Sequence, residues 1–245
     1  MNRDRFRFFQ STLQESDLLI GVPVESFRNI MAQVAERELI RLHPVVREYI
    51  LKEPSFETSL EPLSLPVSEK SDEEDEKLPH EIISMIKCSN RSGTGPMSSV
   101  AGIFAETVAL RLIREFQLGE IVVENGGDLF IKNRSELNSL IHAGKSPLSD
   151  KMAFVLRPGE WGVCTSSGTL GHSYSKGNAD AVSVISGSAP MADAWATALA
   201  NLVKVPADIE PVLERAKGIK DILGCAVIIG EKIGIVGEIE VKPLS

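Results

Sequence analysis

The chain has 245 residues, of which 43% are hydrophobic and 24% charged, so it has ample material for a sizeable core. Its net charge of −8 excludes a broad basic surface of the kind that binds nucleic acid electrostatically. No secretory signal opens the sequence, no uninterrupted apolar run approaches a membrane span, and the three cysteines lack paired spacing. These features predict a soluble cytoplasmic protein that binds neither nucleic acid nor membrane.

The first eighty residues predict a hairpin, helices and a loop. Alternating residues between 5 and 22 predict two strands joined around residues 14–17. Apolar residues recur at helical spacing over 24–51, where Pro44 is expected to end one helix and begin a second. Residues 61–79 are rich in Pro, Ser and acids, which predicts a solvated, mobile excursion within a single domain spanning 1–245. A regulatory role for its acidic run is the weaker alternative.

Two helices are predicted over 80–92 and 98–116, with a glycine-rich turn between them. Gly102 in the second helix should cost about 1 kcal/mol relative to Ala unless another group approaches its backbone closely. Ala101, Gly102 and Ala105 make one side of this helix flat. Tight helix packing is the favoured explanation, and contact with a planar ligand is the alternative.

The rest of the chain predicts mainly strands. Residues 120–132 form a hairpin signal, in which Asn125, Gly126 and Gly127 supply positive φ angles and Glu124 and Asp128 flank the turn. Further elements are expected as strands at 138–143, 152–157, 161–165 and 181–186, a helix entered through Pro190, a helix at 209–217, and strands at 225–229 and 232–241. Strands at both ends with helices between them predict an α+β fold with a largely antiparallel sheet.

One stretch, 164–202, combines a glycine- and hydroxyl-rich loop with a following helix. Asp193 and Thr197 are four residues apart, so they share one helix face, and Asp193 is expected in the first turn, where the helix dipole favours an anion. A carboxylate and a hydroxyl beside a glycine-rich loop predict a site for a hard cation and a phosphate. The polar surroundings of His172 favour a role as acid/base or as a hydrogen-bond donor to phosphate.

Several common sites are disfavoured because their motifs are missing. The sequence contains no GxGxxG or P-loop, no HExxH and no GxSxG nucleophile elbow. Cys164 precedes the serine-rich loop, and a buried structural thiol is favoured there over a nucleophile.

Four segments, in order, resemble motifs of the ApbE-type flavin transferases, which are Mg²⁺-dependent enzymes that move FMN from FAD onto a protein hydroxyl. Segment 101–106 resembles their Lys-Gly-Tyr-x-x-Asp helix, 125–128 their Gly-Gly-Asp turn and 165–168 their Thr-Ser-Gly loop. Segment 192–199 is close to their Ala-Asp-Ala-x-Ala-Thr-Ala-Leu helix and is the most specific match.

The resemblance implies an ApbE-type fold, with a sheet and helices packed around a central cleft. It implies that Asp193 and Thr197 bind Mg²⁺ and that FAD or FMN is a candidate cofactor. A phosphate-bearing small molecule is therefore the predicted partner. The residues predicted to contact it are Gly102, Glu106, Asn125, Gly126, Gly127, Asp128, Thr165, Ser166, Ser167, Gly168 and Thr169.

Over nearly its whole length the chain is more similar still to an uncharacterised prokaryotic branch of ApbE-like proteins. Ala101 stands where the transferases have lysine, and segment 171–177 replaces their His-x-x-Asp-Pro-x-Thr-Gly. Two functions therefore stay open: flavin or phosphoryl-type transfer with His172 as acid/base, and flavin or nucleotide binding without turnover. A structural module and hydrolysis by Cys164 or a serine are weaker alternatives, and a homo-oligomer is left open.

Overall fold

The computed structural model describes residues 5–64, 78–168 and 177–244. Eight strands form one antiparallel sheet in the order β1-β2-β3-β4-β7-β8-β9-β10, and three form a second sheet in the order β11-β6-β5. The strands are β1 (Phe6–Leu13), β2 (Ser16–Pro23), β3 (Ile121–Asn125), β4 (Asp128–Asn133), β5 (Leu137–Leu140), β6 (Met152–Leu156), β7 (Gly159–Ser166), β8 (Ala181–Ser186), β9 (Gly224–Ile229), β10 (Lys232–Gly237) and β11 (Val241–Pro243).

The helices gather on one face of the large sheet. They are α1 (Ile30–Lys52), α2 (Ser55–Thr58), α3 (His80–Ser92), α4 (Val100–Phe116), α5 (Ala189–Ala200) and α6 (Ile209–Lys217). α4 packs on β3 and β4, and α5 packs on β7 and β8. This arrangement confirms the predicted α+β class with a largely antiparallel sheet.

The middle strands of the large sheet are buried on both faces. On β8, Val182 and Val184 belong to the core beneath the helices, whereas Ala181 and Ile185 belong to a second core that includes residues of the smaller sheet. Because strand side chains alternate between faces, a strand covered on both sides reads as the continuous apolar run seen here.

α1 corrects the prediction that Pro44 divides two helices, since it runs unbroken through that residue. Pro44 cannot donate to the carbonyl of Ile40, four residues earlier. Both residues are exposed on the outer side of the helix, where water can bind that carbonyl. Buried Met31, Leu39 and Val46 keep the apolar face in phase on either side of the proline. Packing of that face outweighs the single missing hydrogen bond.

The C-terminal strand signal also divides differently from the prediction. The expected strand at 232–241 splits into β10 and β11, which lie in different sheets. Gly237 has a φ of 116°, which a glycine adopts readily and which ends the pairing with β9. β11 then pairs with β6.

Part of the predicted acidic excursion, residues 65–77, lies outside the described residues, as do 169–176. Within the described ranges, one apolar helical segment, Pro96–Phe116, is long enough to cross a membrane by length and composition. Half of its most apolar window is buried, and α4 contacts α1, α5 and β3. These contacts are those of a core helix.

Gly102→Ala should destabilise the protein, although alanine is the better helix former by about 1 kcal/mol. A Cβ at Gly102 would lie 2.6 Å from the carbonyl oxygen of Ala189, so α4 and α5 would have to separate. We expect the free energy of unfolding to fall by about 2 kcal/mol, which thermal circular dichroism would record as a Tm lower by roughly 5 °C. Gly187→Ala is the control, because its Cβ would meet no heavy atom of the described residues within 4 Å. Equal Tm values for the two variants would contradict this explanation.

Candidate functional site

A cleft of about 1210 Å³ opens where the β3–β4 turn, the end of β7 and three helices meet. α5 contributes Asp193 and Thr197, and the N-terminal part of α4 contributes Ala101. One face of α1 closes another side, and Leu140 and His142 lie at the side of the smaller sheet.

The β3–β4 turn is a two-residue hairpin in which Asn125 pairs with Asp128. Gly126 and Gly127 have φ angles of 63° and 103°, which explains why glycines occupy the turn. The Asn125 side chain donates to the carbonyl of Ala101 at 3.2 Å, which ties the turn to the start of α4. The Gly127 N–H donates to the Glu124 carboxylate at 2.7 Å.

Asp193 lies in the cleft, but not in the first turn of its own helix as the sequence predicts. α5 begins at Ala189, one residue before Pro190, and has no acidic residue in its first turn. The Asp193 carboxylate instead accepts the Gly102 N–H of α4 at 2.9 Å, and a second backbone hydrogen bond from Ala101. The carboxylate therefore meets the positive end of a helix dipole, but that helix is α4.

Glu106 makes the reciprocal contact. Its carboxylate accepts the N–H of Ala189, the first residue of α5, at 2.6 Å, and also a hydrogen bond from the Ser188 hydroxyl. Burial raises the pKa of Glu106, while these two donors lower it. α4 and α5 thus each supply a carboxylate to the N-terminus of the other. Glu106 is not among the residues that line the cleft.

Asp128 and Asp193 form the electrostatic centre of the cleft. Each is 9% exposed. Burial raises the pKa of Asp128 to about 7, whereas hydrogen bonds from the Cys164 thiol and the Thr165 backbone lower it. Burial raises the pKa of Asp193 well above its ordinary value, and the negative charge of Asp128 raises it further. A divalent cation beside two such buried acids would favour their ionised forms.

Cys164 is buried, as predicted. Its thiol lies 3.3 Å from the carbonyl oxygen of Ala189 and also contacts the Asp128 carboxylate. Burial, with the negative charges of Asp128 and Asp193, raises the pKa of the thiol well above its ordinary value. The nucleophilic thiolate is therefore disfavoured, so hydrolysis by Cys164 finds no support in this environment.

The end of β7 brings hydroxyls to the cleft. The Thr165 hydroxyl is 2.7 Å from that of Ser183 on β8. Ser166 is 7% exposed, and its Oγ has no hydrogen-bond partner among the described residues. Because buried hydroxyls are nearly always paired, this atom is a candidate contact for a ligand oxygen.

The structure brings most, but not all, of the sequence-predicted site residues to one cleft. Those that line it are Asn125, Gly126, Gly127, Asp128, Thr165, Ser166, Ser167, Asp193 and Thr197. Gly102, Glu106 and Gly168 do not line it. Thr169 and His172 lie outside the described residues.

Sequence reasoning missed the contribution of α1. His43 and Arg47 line the cleft from this helix, one turn apart. Their spacing of four residues places them on one face, which is a signal visible in the sequence. Nothing in that local pattern indicates that the face borders a cleft rather than bulk solvent.

Asp128→Asn should raise the Tm of the metal-free protein at pH 8 but not at pH 4. The folded protein retains the Asp128 proton up to about pH 7, whereas the ordinary pKa is 3.8. The stability from this group is therefore complete below about pH 4, falls progressively between about pH 4 and pH 7, and is fully lost above pH 7. We expect the Tm of Asp128→Asn to exceed that of the wild type by roughly 5 °C at pH 8 in EDTA, as measured by thermal circular dichroism. Glu231→Gln, in an exposed turn, is the control, and a pH-independent effect of Asp128→Asn would contradict the prediction.

Comparison with known proteins places the chain among ApbE-like sequences. Residues 1–230 match the family model described as AbpE bacteria. A UPF0280 protein of Methanococcus maripaludis strain C6 is 35% identical over 95% of this chain and 92% of that protein. A UPF0280 protein of Methanothermobacter thermautotrophicus is 40% identical over 78% of this chain and 73% of that protein.

Two solved structures have similar folds. The ApbE protein of Thermotoga maritima has a TM-score of 0.58 at 13% identity, over 94% of this chain and 96% of that one. The apo flavinyl transferase ApbE of Pseudomonas stutzeri has a TM-score of 0.54 at 17% identity, over 96% of both chains. These likenesses confirm the ApbE-type fold.

Proposed function

Because the chain belongs to the family described as AbpE bacteria, we propose that its cleft binds a flavin or adenine nucleotide together with Mg²⁺. The observation that carries this proposal is the buried pair of acids, Asp128 and Asp193, whose pKa values are both raised. A divalent cation between nucleotide phosphates and these carboxylates would remove the unfavourable charge that their ionisation creates.

The donor set fits Mg²⁺. Among the described residues, no three acidic, His or Cys side chains converge as a metal cluster. Mg²⁺ nevertheless needs only one or two carboxylates, since waters and substrate phosphates complete its coordination. Asp193 and Thr197 would hold the ion from α5, and Asp128 would support it from β4. When bound, Mg²⁺ supplies positive charge that neutralises the phosphate oxygens.

The phosphate end of the ligand would contact the end of β7. Ser166 offers a buried hydroxyl without a partner, on the same cleft as the two carboxylates. The Gly127 N–H is already bonded to Glu124, so a phosphate could accept that N–H only by replacing Glu124. The end of β7 is therefore the better phosphate contact.

Binding without turnover is the function that this site supports best. The described lining of the cleft contains no lysine, and the Cys164 thiol is kept protonated. Flavin nucleotides are the first ligands to test, because the structural neighbour from Pseudomonas stutzeri is a flavinyl transferase. The three buried free thiols support a cytoplasmic location.

Calorimetric titration with FAD, FMN and ADP, in Mg²⁺ and in EDTA, tests this proposal. We expect at least one nucleotide to bind at least tenfold more tightly in Mg²⁺. Equal affinity in EDTA would overturn the metal site, and no heat with any of the three would overturn nucleotide binding. Release of AMP from FAD in the same samples would show turnover and favour the transfer reaction instead.

A further inference from the structure

The proposed metal and phosphate contacts leave one wall of the cleft unused. Five residues of α1 line this wall at helical spacing: His43, Val46, Arg47, Ile50 and Leu51. Three further apolar side chains lie on the same cleft: Met97, Val100 and Phe104. We call these eight residues the α1 wall. An apolar wall with a few polar groups is the usual composition of a site for an organic ring.

His43 is the polar group within the apolar part of the α1 wall. Its ring packs edge-on against Phe104, with centroids 5.0 Å apart and an interplanar angle of 74°. Its Nε2 is buried and has no hydrogen-bond partner among the described residues. A buried polar atom without a partner is uncommon and unfavourable, so this imidazole is suited to form a hydrogen bond with a ligand.

Arg47 supplies the charge of the α1 wall. It is the sole Arg or Lys among the described residues that line the cleft, against five acidic residues. It is exposed and lies one helical turn beyond His43, on the same face. A guanidinium stacks on flat ring systems and donates to their acceptor atoms, which an aliphatic wall alone cannot do.

The α1 wall lies close to the carboxylates along α4. Phe104, which contacts His43, is one helical turn, roughly 5 Å, beyond Ala101. The next residue, Gly102, donates its N–H to Asp193. One ligand can therefore reach the Mg²⁺ that the carboxylates would hold with its phosphates and the α1 wall with another group.

We propose that the α1 wall binds the heteroaromatic ring of the nucleotide, with a hydrogen bond from His43 and with Arg47 stacked on or bonded to the ring. This inference rests on the proposed function for the nature of the ligand, a nucleotide, and for the position of its phosphates. Isoalloxazine and adenine share the required chemistry, which is a flat face with hydrogen-bonding atoms at its edge.

The test compares His43→Phe and Arg47→Met with Arg37→Met. Phenylalanine keeps the ring packing on Phe104 and removes only the nitrogens, so the variant should fold. Methionine keeps an unbranched stem at the exposed Arg47 and removes the charge. Arg37 is an exposed arginine of the same helix that does not line the cleft, which makes Arg37→Met the matched control.

Affinities for FAD, FMN, ADP and inorganic pyrophosphate are measured calorimetrically in Mg²⁺ and in EDTA. We expect each α1-wall variant to weaken FAD binding by about five- to tenfold and to leave pyrophosphate binding unchanged. Arg37→Met should change neither. A parallel loss for FMN but not ADP assigns the wall to isoalloxazine, and a parallel loss for ADP but not FMN assigns it to adenine.

The outcomes separate this inference from the proposed function. Mg²⁺-dependent FAD binding that neither variant weakens overturns the α1 wall and keeps the metal site. Equal weakening of FAD and pyrophosphate also overturns it, because Arg47 would then act on phosphate. FAD binding that needs the wall but not Mg²⁺ supports the inference and overturns the metal site. Binding of no probe overturns both.

Discussion

Asp193→Asn is expected to abolish Mg²⁺-dependent nucleotide binding while leaving the fold intact. Asparagine keeps a carbonyl oxygen that can accept the Gly102 N–H, now 2.9 Å from Asp193, but it removes the negative charge that a cation requires. We expect a loss of about 100-fold or more, since even outer partners of metal ligands contribute 10- to 100-fold. Calorimetry with FAD and ADP in Mg²⁺ measures the affinity, and circular dichroism checks the fold.

Asp193→Ala is the informative companion because it removes both the charge and the hydrogen-bond acceptor. The N-terminus of α4 then loses its carboxylate cap, which should cost about 1–2 kcal/mol and lower the Tm by several degrees. If Asp193→Asn binds nucleotide as the wild type does and Asp193→Ala is merely less stable, then Asp193 is a helix cap and the proposed metal site is wrong.

The sequence predicts the local elements well, because the signals for hairpins and helix starts are themselves local. Asn125 and the two following glycines specify a two-residue turn, and Pro190 marks the start of α5. Local rules err where surroundings decide the outcome. α1 passes through Pro44 because the carbonyl of Ile40, which Pro44 leaves without a donor, faces solvent. Asp193 falls beyond the first turn because α5 begins at Ala189.

The site is harder to predict because its central contacts join distant parts of the chain. Asp193 is 91 residues from Gly102, and Glu106 is 83 residues from Ala189. No periodicity or spacing in the sequence encodes these contacts, in which α4 and α5 each supply a carboxylate to the other. Most of the residues that the short motifs identify do line the cleft, but the resemblance cannot separate those that face the cleft from those that hold the helices. His43 belongs to no motif, so only the folded arrangement reveals it.

Glu106 illustrates this difference, and its substitution separates the two roles. Sequence resemblance predicts that Glu106 contacts the ligand, whereas the structure shows its carboxylate on the Ala189 N–H at 2.6 Å. Glu106→Ala leaves that donor without its acceptor. We expect the free energy of unfolding to fall by about 1–3 kcal/mol and the Tm to fall by roughly 5 °C. Nucleotide binding in Mg²⁺ should weaken about tenfold, because Asp193 lies one turn of α5 beyond Ala189.

Glu106→Gln is the matched variant, because its amide oxygen can accept the same N–H without a charge. The Tm is measured by thermal circular dichroism, and the nucleotide affinity is measured at 20 °C, where the variants are expected to be folded. Recovery of both quantities in Glu106→Gln would identify Glu106 as a positioning residue for Asp193. If Glu106→Gln binds as poorly as Glu106→Ala yet is fully stable, the charge of Glu106 acts on the ligand, as the motif predicts. If Glu106→Ala loses stability but keeps its affinity, the exchange of carboxylates between α4 and α5 serves the fold alone, and Asp193 does not depend on it.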